Sequence, residues 1–359
     1  MKTAGTAAKD KREDLLDLTP AELRERFKAA GLPAYRADQC LDWVYEKGVY
    51  DFERMTNLPK DLRSKLKEYF RLGTPQVVER QGSEGDGSTK LLLKLSDKEF
   101  VETVQMPAGP RQTVCVSSQV GCKFHCAFCA SGQDGFFRNL RSGEILAQVL
   151  AARDASPAKK LTNIVFMGIG EPFDNYEQVL KAVRTLNSPS AMKLGARKIT
   201  ISTCGVVPKI EELAKEGLQV ELSVSLHGAN DSVRGSIMPV NRAYAVRPLI
   251  EACKRYAKKT KRAITFEYIL IRGVNASERD ARDLAKLLSG LLCKVNLIPY
   301  NPIEEFPHEA PTYPEVVVFQ QVLQQAGIRT TVRFSKGRDI QAACGQLRSV
   351  RLKKRGAEA

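Results

Sequence analysis

The spacing of apolar positions changes character partway along the chain. From about residue 13 to 72 it predicts helices. Leu18-Thr19-Pro20-Ala21-Glu22 sets Thr19 as an N-cap, Pro20 at the first helical position and Glu22 to close a capping box, ahead of a basic segment through Lys28. Asn57-Leu58-Pro59 opens a second basic amphipathic helix, Lys60 to Phe70. Two apolar runs, Leu91 to Leu95 and Phe100 to Val104, flank Ser96-Asp97-Lys98-Glu99 and predict a hairpin. Beyond it the pattern becomes strands alternating with amphipathic helices. The expected strands are Thr113 to Ser118, Asn163 to Met167, Lys198 to Ser202, Val220 to Ser225, Ile264 to Ile269 and Val295 to Ile298. Ser277 with Asp280 marks the start of one helix, and Leu284, Leu287 and Leu288 form its buried stripe.

Repeated strand-then-helix units with right-handed crossovers make a parallel sheet covered by helices. Six such units predict an α/β fold, a partial (β/α)6 barrel, behind a small N-terminal helical domain. The expected divisions are an N-terminal helical accessory domain at 1–75, a β-hairpin connector at 76–107, the barrel with a C-terminal cysteine segment at 108–347 and a basic tail at 348–359. Residues with chemical potential fall at the ends of the strands. The cysteine loop follows the first, Gly168-Ile169-Gly170-Glu171-Pro172 the second, Ser202-Thr203-Cys204-Gly205 the third, Ser225-Leu226-His227 the fourth and Pro299-Tyr300-Asn301 the sixth. Parallel α/β folds place their active sites at those ends.

Composition narrows the class of protein. The 359 residues suffice for a full core, and Lys+Arg 56 against Asp+Glu 41 leaves a net charge of +15, which points to a polyanionic partner such as nucleic acid. Lys and Arg on the outer faces of the N-terminal helices are candidate RNA contacts. Arg348, Arg351, Lys353, Lys354 and Arg355 are further candidates; solvated charged faces and a solvated tail are the alternatives. No apolar run approaches the roughly 20 residues of a membrane span, and Met1 to Asp14 lacks the apolar core of a signal peptide. A cytoplasmic protein without membrane association is expected.

Nine cysteines in that compartment argue for metal or redox chemistry over a disulfide framework. Cys122, Cys126 and Cys129 form a CxxxCxxC run with Phe128 before the last thiol. Clustered thiolates suit iron–sulfur clusters and zinc, and a structural zinc asks for a fourth ligand. Three thiolates on a cubane instead leave one iron open. Zinc with His125 as fourth ligand and a purely electron-transferring cluster are the alternatives; His125 adjoins Cys126 on a tight loop, an awkward place from which to share its metal. Gly168 and Gly170 allow close backbone approach to a ligand but lack the third glycine of a dinucleotide fingerprint. Glu171 is a candidate for a ligand ammonium, and Ser202, Ser225 and Asn301 for a carboxylate or ribose; each serine or asparagine could equally serve as a cap or turn.

CxxxCxxC after a strand resembles the radical S-adenosylmethionine (SAM) superfamily, and the wider pattern resembles its RlmN family of RNA adenine methyltransferases, with the Cfr enzymes as near neighbours. The resemblance runs from Glu102 to Leu347. It is carried by Val101-Glu102-Thr103, Cys115 to Cys122, Arg138-Asn139-Leu140, Met167 to Pro172, Ser225-Leu226-His227, Met238 to Arg242, Asn296 to Pro299 and Ala343-Cys344-Gly345-Gln346-Leu347; Ala37-Asp38-Gln39 matches more loosely.

What it implies is a radical SAM barrel with a [4Fe-4S] cluster on Cys122, Cys126 and Cys129, and SAM bound by Gly170, Glu171, Ser202, Ser225, Leu226, His227 and Asn301. Two SAM molecules are used per turnover. One methylates the cysteine matching Cys344; the second yields a 5′-deoxyadenosyl radical that takes a hydrogen from that S-methyl. The resulting carbon radical adds to C2 of an adenosine in 23S rRNA, with tRNA a second candidate substrate. The cysteine matching Cys115 resolves the covalent adduct by forming a disulfide with Cys344, Glu102 matches the proton acceptor and Met167 a pocket residue. A flavodoxin-like electron donor and a monomer are implied. C8 methylation of the Cfr kind is the nearer alternative, and a zinc-stabilised RNA-binding protein without catalysis the distant one. Cys204 departs from the serine expected there, and a buried, inert thiol is anticipated.

Overall fold

The structure is a computed structural model and describes residues 12–74, 76–156 and 160–348. The expected tail cations Arg351, Lys353, Lys354 and Arg355 lie outside the described residues.

At the N-terminus β1 (Glu13–Asp14) pairs in parallel with β2 (Phe70–Arg71), closing a module of three helices, α1 (Pro20–Ala29), α2 (Tyr35–Tyr45) and α3 (Lys60–Tyr69). The capping box forms as the sequence predicts: Thr19 N donates to Glu22 Oε2 at 2.7 Å and Glu22 N to Thr19 Oγ1 at 3.2 Å. Leu23, Phe27, Leu41 and Leu66 make the buried core of this module. Ala147 and Leu150 of the barrel belong to the same apolar cluster, so burial joins the module to the barrel.

The main sheet has ten strands: β3 (Gln76–Gly82), β4 (Thr89–Lys94), β5 (Phe100–Ala108), β6 (Arg111–Cys115), β9 (Asn163–Phe166), β10 (Ile199–Thr203), β11 (Glu221–Ser225), β12 (Ile264–Leu270), β13 (Cys293–Pro299) and β14 (Arg329–Val332). A small ribbon, β7 (Gln119–Gly121) with β8 (Phe136–Asn139), brackets the cysteine loop. The sheet order is β14-β13-β12-β11-β10-β9-β6-β5-β4-β3. From β14 to β6 all pairs are parallel, and β5, β4 and β3 extend the β6 edge as an antiparallel meander. The connecting helices are α4 (Ser142–Ala155), α5 (Tyr176–Asn187), α6 (Val207–Leu213), α7 (Asp231–Ile237), α8 (Val246–Thr260), α9 (Glu278–Leu288) and α10 (Tyr313–Gln325). This is the expected α/β architecture, six strand-then-helix units in a partial barrel, with β14 added at the open edge. No helix among the described residues is long and apolar enough to cross a membrane.

All six expected parallel strands are present, with ends displaced by a few residues. The first stops at Cys115 instead of Ser118, because Ser117 leaves the ladder: its N–H donates to Gln148 Oε1 at 2.8 Å and its hydroxyl to Glu102 O at 2.7 Å. β3 and β14 carry no strand expectation, since the mixed polar runs Gln76–Gly82 and Arg329–Val332 lack a continuous apolar face.

Strand period decides what faces the barrel lumen. Ile201, Leu222, Phe266 and Leu297 are fully or almost fully buried against the helices. Their neighbours Ser202, Ser223, Glu267 and Asn296 point the opposite way, as period 2 requires, and line the internal cavities.

Candidate active site

An apolar-walled cavity of about 880 Å³, open to solvent, lies at the C-terminal ends of the parallel strands. One wall is the cysteine loop, with Cys122, Cys126 and Cys129; the facing wall presents Gly170, Glu171, Ser202, Ser225 and His227. Eight of the expected metal and cofactor residues therefore share one cavity with Cys344. Cys115 lines a smaller adjoining cavity, which also contains Cys344 and Met167.

The loop is held by its backbone. Ala127 N donates to Ile237 O at 2.9 Å, and Cys122 N to Gly135 O at 2.9 Å. Phe128 meets His227 edge-on, with centroids 4.8 Å apart. Gly121 adopts φ 75°, and a Cβ there would lie 2.0 Å from Gly135 O, so the turn into the loop requires glycine. No three His, Cys, Asp or Glu side chains among the described residues converge as a single-ion cage.

Glu171 is buried, and its N–H donates to Gln119 Oε1 at 2.9 Å. Its carboxylate accepts from Cys204 N at 2.7 Å and Phe173 N at 3.0 Å, while burial raises its pKa against those bonds. Cys204 is 9% exposed, lines the cavity and has its thiol pushed well up, chiefly by burial and then by Glu171. His227 is buried with φ 57°; its Nδ1 accepts from Ile269 N at 3.0 Å. Burial, with Arg234 nearby, lowers its pKa to about 3, so the ring is neutral.

Two expected cofactor residues sit elsewhere. Leu226 is fully buried in the core and does not line the cavity. Asn301 does not line the cavity; its Nδ2 donates to Ser335 Oγ at 2.7 Å and to Cys344 O at 3.2 Å, so it grips the Cys344 segment.

That segment packs on the cysteine loop: Ala130 N donates to Gly345 O at 2.7 Å and Ser131 Oγ to Leu347 O at 2.7 Å. Arg348 N donates to Glu102 Oε2 at 2.7 Å. The Arg348 guanidinium pairs with Glu305 at 2.6 Å and Asp134 at 3.3 Å, and its side chain is 12% exposed, so it is engaged within the fold. Cys115 and Cys344 are both free thiols. Burial pushes Cys115 up to about 12 and raises Cys344; the Arg333 guanidinium opposes both shifts. Glu102 lines neither cavity but anchors the end of the Cys344 segment, with Lys90 Nζ 3.4 Å from Oε1.

Sequence reasoning missed Arg333, Glu267, Gln119 and Arg234. The last is fully buried and donates to Cys204 O at 2.6 Å and Asn241 Oδ1 at 2.9 Å, bracing the third strand end. A charged residue at a lumen-facing strand position, as with Glu267, was the available signal.

This fold and thiol loop define a radical SAM enzyme, and the family description "Radical SAM superfamily" matches residues 116–285. "Ribosomal RNA large subunit methyltransferase N-terminal domain" matches residues 13–72. The chain is 46% identical over 342 residues to "Probable dual-specificity RNA methyltransferase RlmN" of Thermoanaerobacter sp. (strain X514), covering 95% of this chain and 99% of that one. It is 46% identical over 345 residues to the protein of the same description from Clostridium tetani (strain Massachusetts / E88), covering 96% and 98%. A crystal structure of a radical SAM methyltransferase from Sphaerobacter thermophilus superposes with a TM-score of 0.90 at 49% identity, covering 94% of this chain and 99% of that chain. The chain belongs to the RlmN family. Membership implies a [4Fe-4S] cluster and SAM, and the three thiols facing a buried carboxylate and neutral hydrogen-bonding groups fit that pair.

Proposed function

We propose that this chain methylates C2 of an adenosine in the peptidyl-transferase region of 23S rRNA, with tRNA as a second substrate, through a methyl group carried on Cys344. The observation that carries this reading is that Cys344 lines both the cavity of Cys122, Cys126 and Cys129 and the cavity of Cys115. The relatives' description as dual-specificity RNA methyltransferases supports RNA as the substrate class.

Cys122, Cys126 and Cys129 would hold the cluster, and Gly170, Glu171, Ser202, Ser225 and His227 would hold SAM. Leu226 contributes its backbone, and Asn301 its hold on Cys344. When bound, the pair supplies methyl transfer and, with one electron from a flavodoxin-like donor, hydrogen abstraction, so two SAM molecules serve each turnover. An aromatic C2 carbon is not nucleophilic, so polar alkylation of it fails. Cys344 solves this by accepting the methyl itself and presenting its carbon to the ring. The target base must leave its stack to reach a thiol that lines a cavity at the strand ends.

Cys115, across the small cavity, then attacks the Cys344 sulfur and frees methylated RNA, leaving a disulfide. Glu102, with its pKa raised by burial to about 7, suits acceptance of the C2 proton near neutrality once the Cys344 segment that it anchors shifts to open it to the base. A monomer acting in the cytoplasm completes the reading.

The test is mass spectrometry of the tryptic peptide containing Cys344 from a Cys115→Ala protein, with nucleoside analysis of RNA treated with the wild type. A methyl or RNA-linked mass on that peptide, together with 2-methyladenosine, is expected. An unmodified peptide overturns the mechanism, and 8-methyladenosine overturns the C2 assignment. Colourless, zinc-loaded protein after anaerobic reconstitution overturns the enzyme reading altogether.

A further inference from the structure

Arg234 braces the third strand end, but bracing does not call for a charge. Its Nη2 donates to Cys204 O at 2.6 Å, and its Nη1 to Asn241 Oδ1 at 2.9 Å and Tyr244 O at 3.1 Å. All three acceptors are neutral, and its Nε is buried without a hydrogen-bond partner. The side chain is fully buried, and it forms no ion pair with a carboxylate among the described residues. Asp231, on the same helix, is exposed and accepts from Val246 N at 2.8 Å and Asn241 Nδ2 at 3.0 Å. A charge taken out of water is costly unless an opposite charge offsets it.

The helix that carries Arg234, α7, ends on the cysteine loop. Met238 N donates to Arg234 O at 2.8 Å, and Ala127 N, next to Cys126, donates to Ile237 O at 2.9 Å. Phe128, Cys204, Ile237 and Met238 belong to one apolar cluster, with Cys126 and Cys129 packed against it. Charges separated by such a layer are poorly screened. The ionisable groups that bear on Arg234 are Cys204, Cys126, Asp231 and Cys253, and Arg234 in turn bears on His227. A Cβ on Gly205 would lie 3.1 Å from Arg234 Nη2, and one on Gly228 2.6 Å from Arg234 N, so the backbone closes around this residue. Arg234 lines neither the main cavity nor the small one, which sets it apart from the groups that meet a ligand there. Two other cations stand by the loop, and both are matched: Lys123 with Asp174 at 2.5 Å, Arg348 with Glu305 and Asp134.

We propose that Arg234 is a positioning residue whose charge, set behind the apolar wall, offsets that of the cluster on Cys122, Cys126 and Cys129 and favours its one-electron reduction. The inference rests on the function proposed above. A cubane on three thiolates is anionic, and reduction adds one further negative charge. That electron comes from the flavodoxin-like donor; no bond forms or breaks and no proton moves. A fixed cation stabilises the product of this step more than its reactant, because the attraction grows with the charge it faces. The same attraction gives the guanidinium the anion that no carboxylate supplies.

The test is a redox titration followed by electron paramagnetic resonance on anaerobically reconstituted holoprotein, without SAM or RNA. Wild type, Arg234→Gln, Arg234→Met and Arg234→Lys are compared at matched iron and sulfide content. Arg234→Gln keeps an amide donor for the carbonyls but loses the charge, whereas Arg234→Lys keeps the charge but loses the fork. Loss of the charge should disfavour reduction about tenfold, a midpoint about 59 mV more negative, and Arg234→Lys should restore most of it. A midpoint unmoved in Arg234→Gln, or moved as far in Arg234→Lys as in Arg234→Gln, overturns the inference and leaves Arg234 as a brace. An effect confined to SAM affinity also overturns it, since Arg234 would then act on Glu171 through Cys204, whose N–H donates to that carboxylate. The titration needs neither RNA nor SAM, so its failure is distinct from a failure of RNA methylation.

Discussion

Glu102 sits in β5 with its carboxylate between Lys90 Nζ and the Arg348 N–H, 3.4 Å and 2.7 Å away. Burial raises its pKa from 4.5 to about 7, against the lowering pull of Lys90 and of that N–H. A folded value above the unfolded one means that the protonated group favours the folded chain. Its contribution is therefore present below pH 4.5 and is lost as pH rises through 7. The shift corresponds to about 3 kcal/mol. Wild type should thus lose more stability than Glu102→Gln between pH 5 and 8 in urea unfolding; parallel losses would show that Glu102 does not titrate there. His227 makes the opposite case: held neutral, it cannot serve as the acid or base. With only three histidines in the chain, its ring signals can be assigned by NMR, and they should stay flat from pH 5 to 8. Leu226 and Asn301 show where a motif misleads. A motif carries residue order, but which atom of Leu226 faces the cavity depends on strand register, and the partners of Asn301 come from a segment 34 and 43 residues away.

Helix α4 joins the two parts of the molecule. Gly143 N in its first turn donates to Asp17 Oδ1 at 2.8 Å, and Arg141 pairs with Asp17. The N-terminal module thereby supplies the anion that the start of a helix favours. A Cβ on Gly143 would lie 2.6 Å from Asp17 Oδ1, so glycine is what lets the module come this close. Asp17→Ala should cost about 1–2 kcal/mol, measured by urea unfolding; an unchanged midpoint would place the coupling in the apolar contacts of Ala147 and Leu150 alone. The turn after β9 is the second junction that matters. Gly170 has φ 101°, and a Cβ would lie 2.5 Å from Gln119 Cβ. Gly170→Ala should strain the turn by about 1–3 kcal/mol, displace Glu171 and weaken SAM binding, read by calorimetry; wild-type affinity would argue that Glu171 does not hold the cofactor. The existence of these strands was legible from their apolar runs, and their lumen-facing polar residues from period 2. The strand β14 was not, because Arg329–Val332 has one fully apolar residue and is a strand only by pairing with β13.

Across the whole molecule the excess of 15 positive charges fits a polyanionic substrate, but several cations are engaged within the fold. Arg138 is shared by Asp97 and Glu144, and Arg348 by Asp134 and Glu305. Under the proposed function, RNA affinity should fall linearly on a log–log plot against salt, with a slope of about −4 if some six phosphates of a single strand are contacted. A flat plot in a titration of labelled RNA would assign the net charge to solubility alone.

The sequence by itself determined the six strand-then-helix units, the helix caps at Thr19 and Ser277, and the radical-generating loop. Each of these depends on residues a few positions apart, and short-range spacing is written directly in the chain. Only the tertiary structure decided that Gly345, next to Cys344, packs on the cysteine loop at Phe128 and Cys129, that Cys344 shares a cavity with Cys115 and Arg333, and that Asn301 donates to Cys344 O. Those neighbours are set by barrel curvature and by the return of the C-terminal segment, through contacts between residues far apart in the chain that no local pattern encodes.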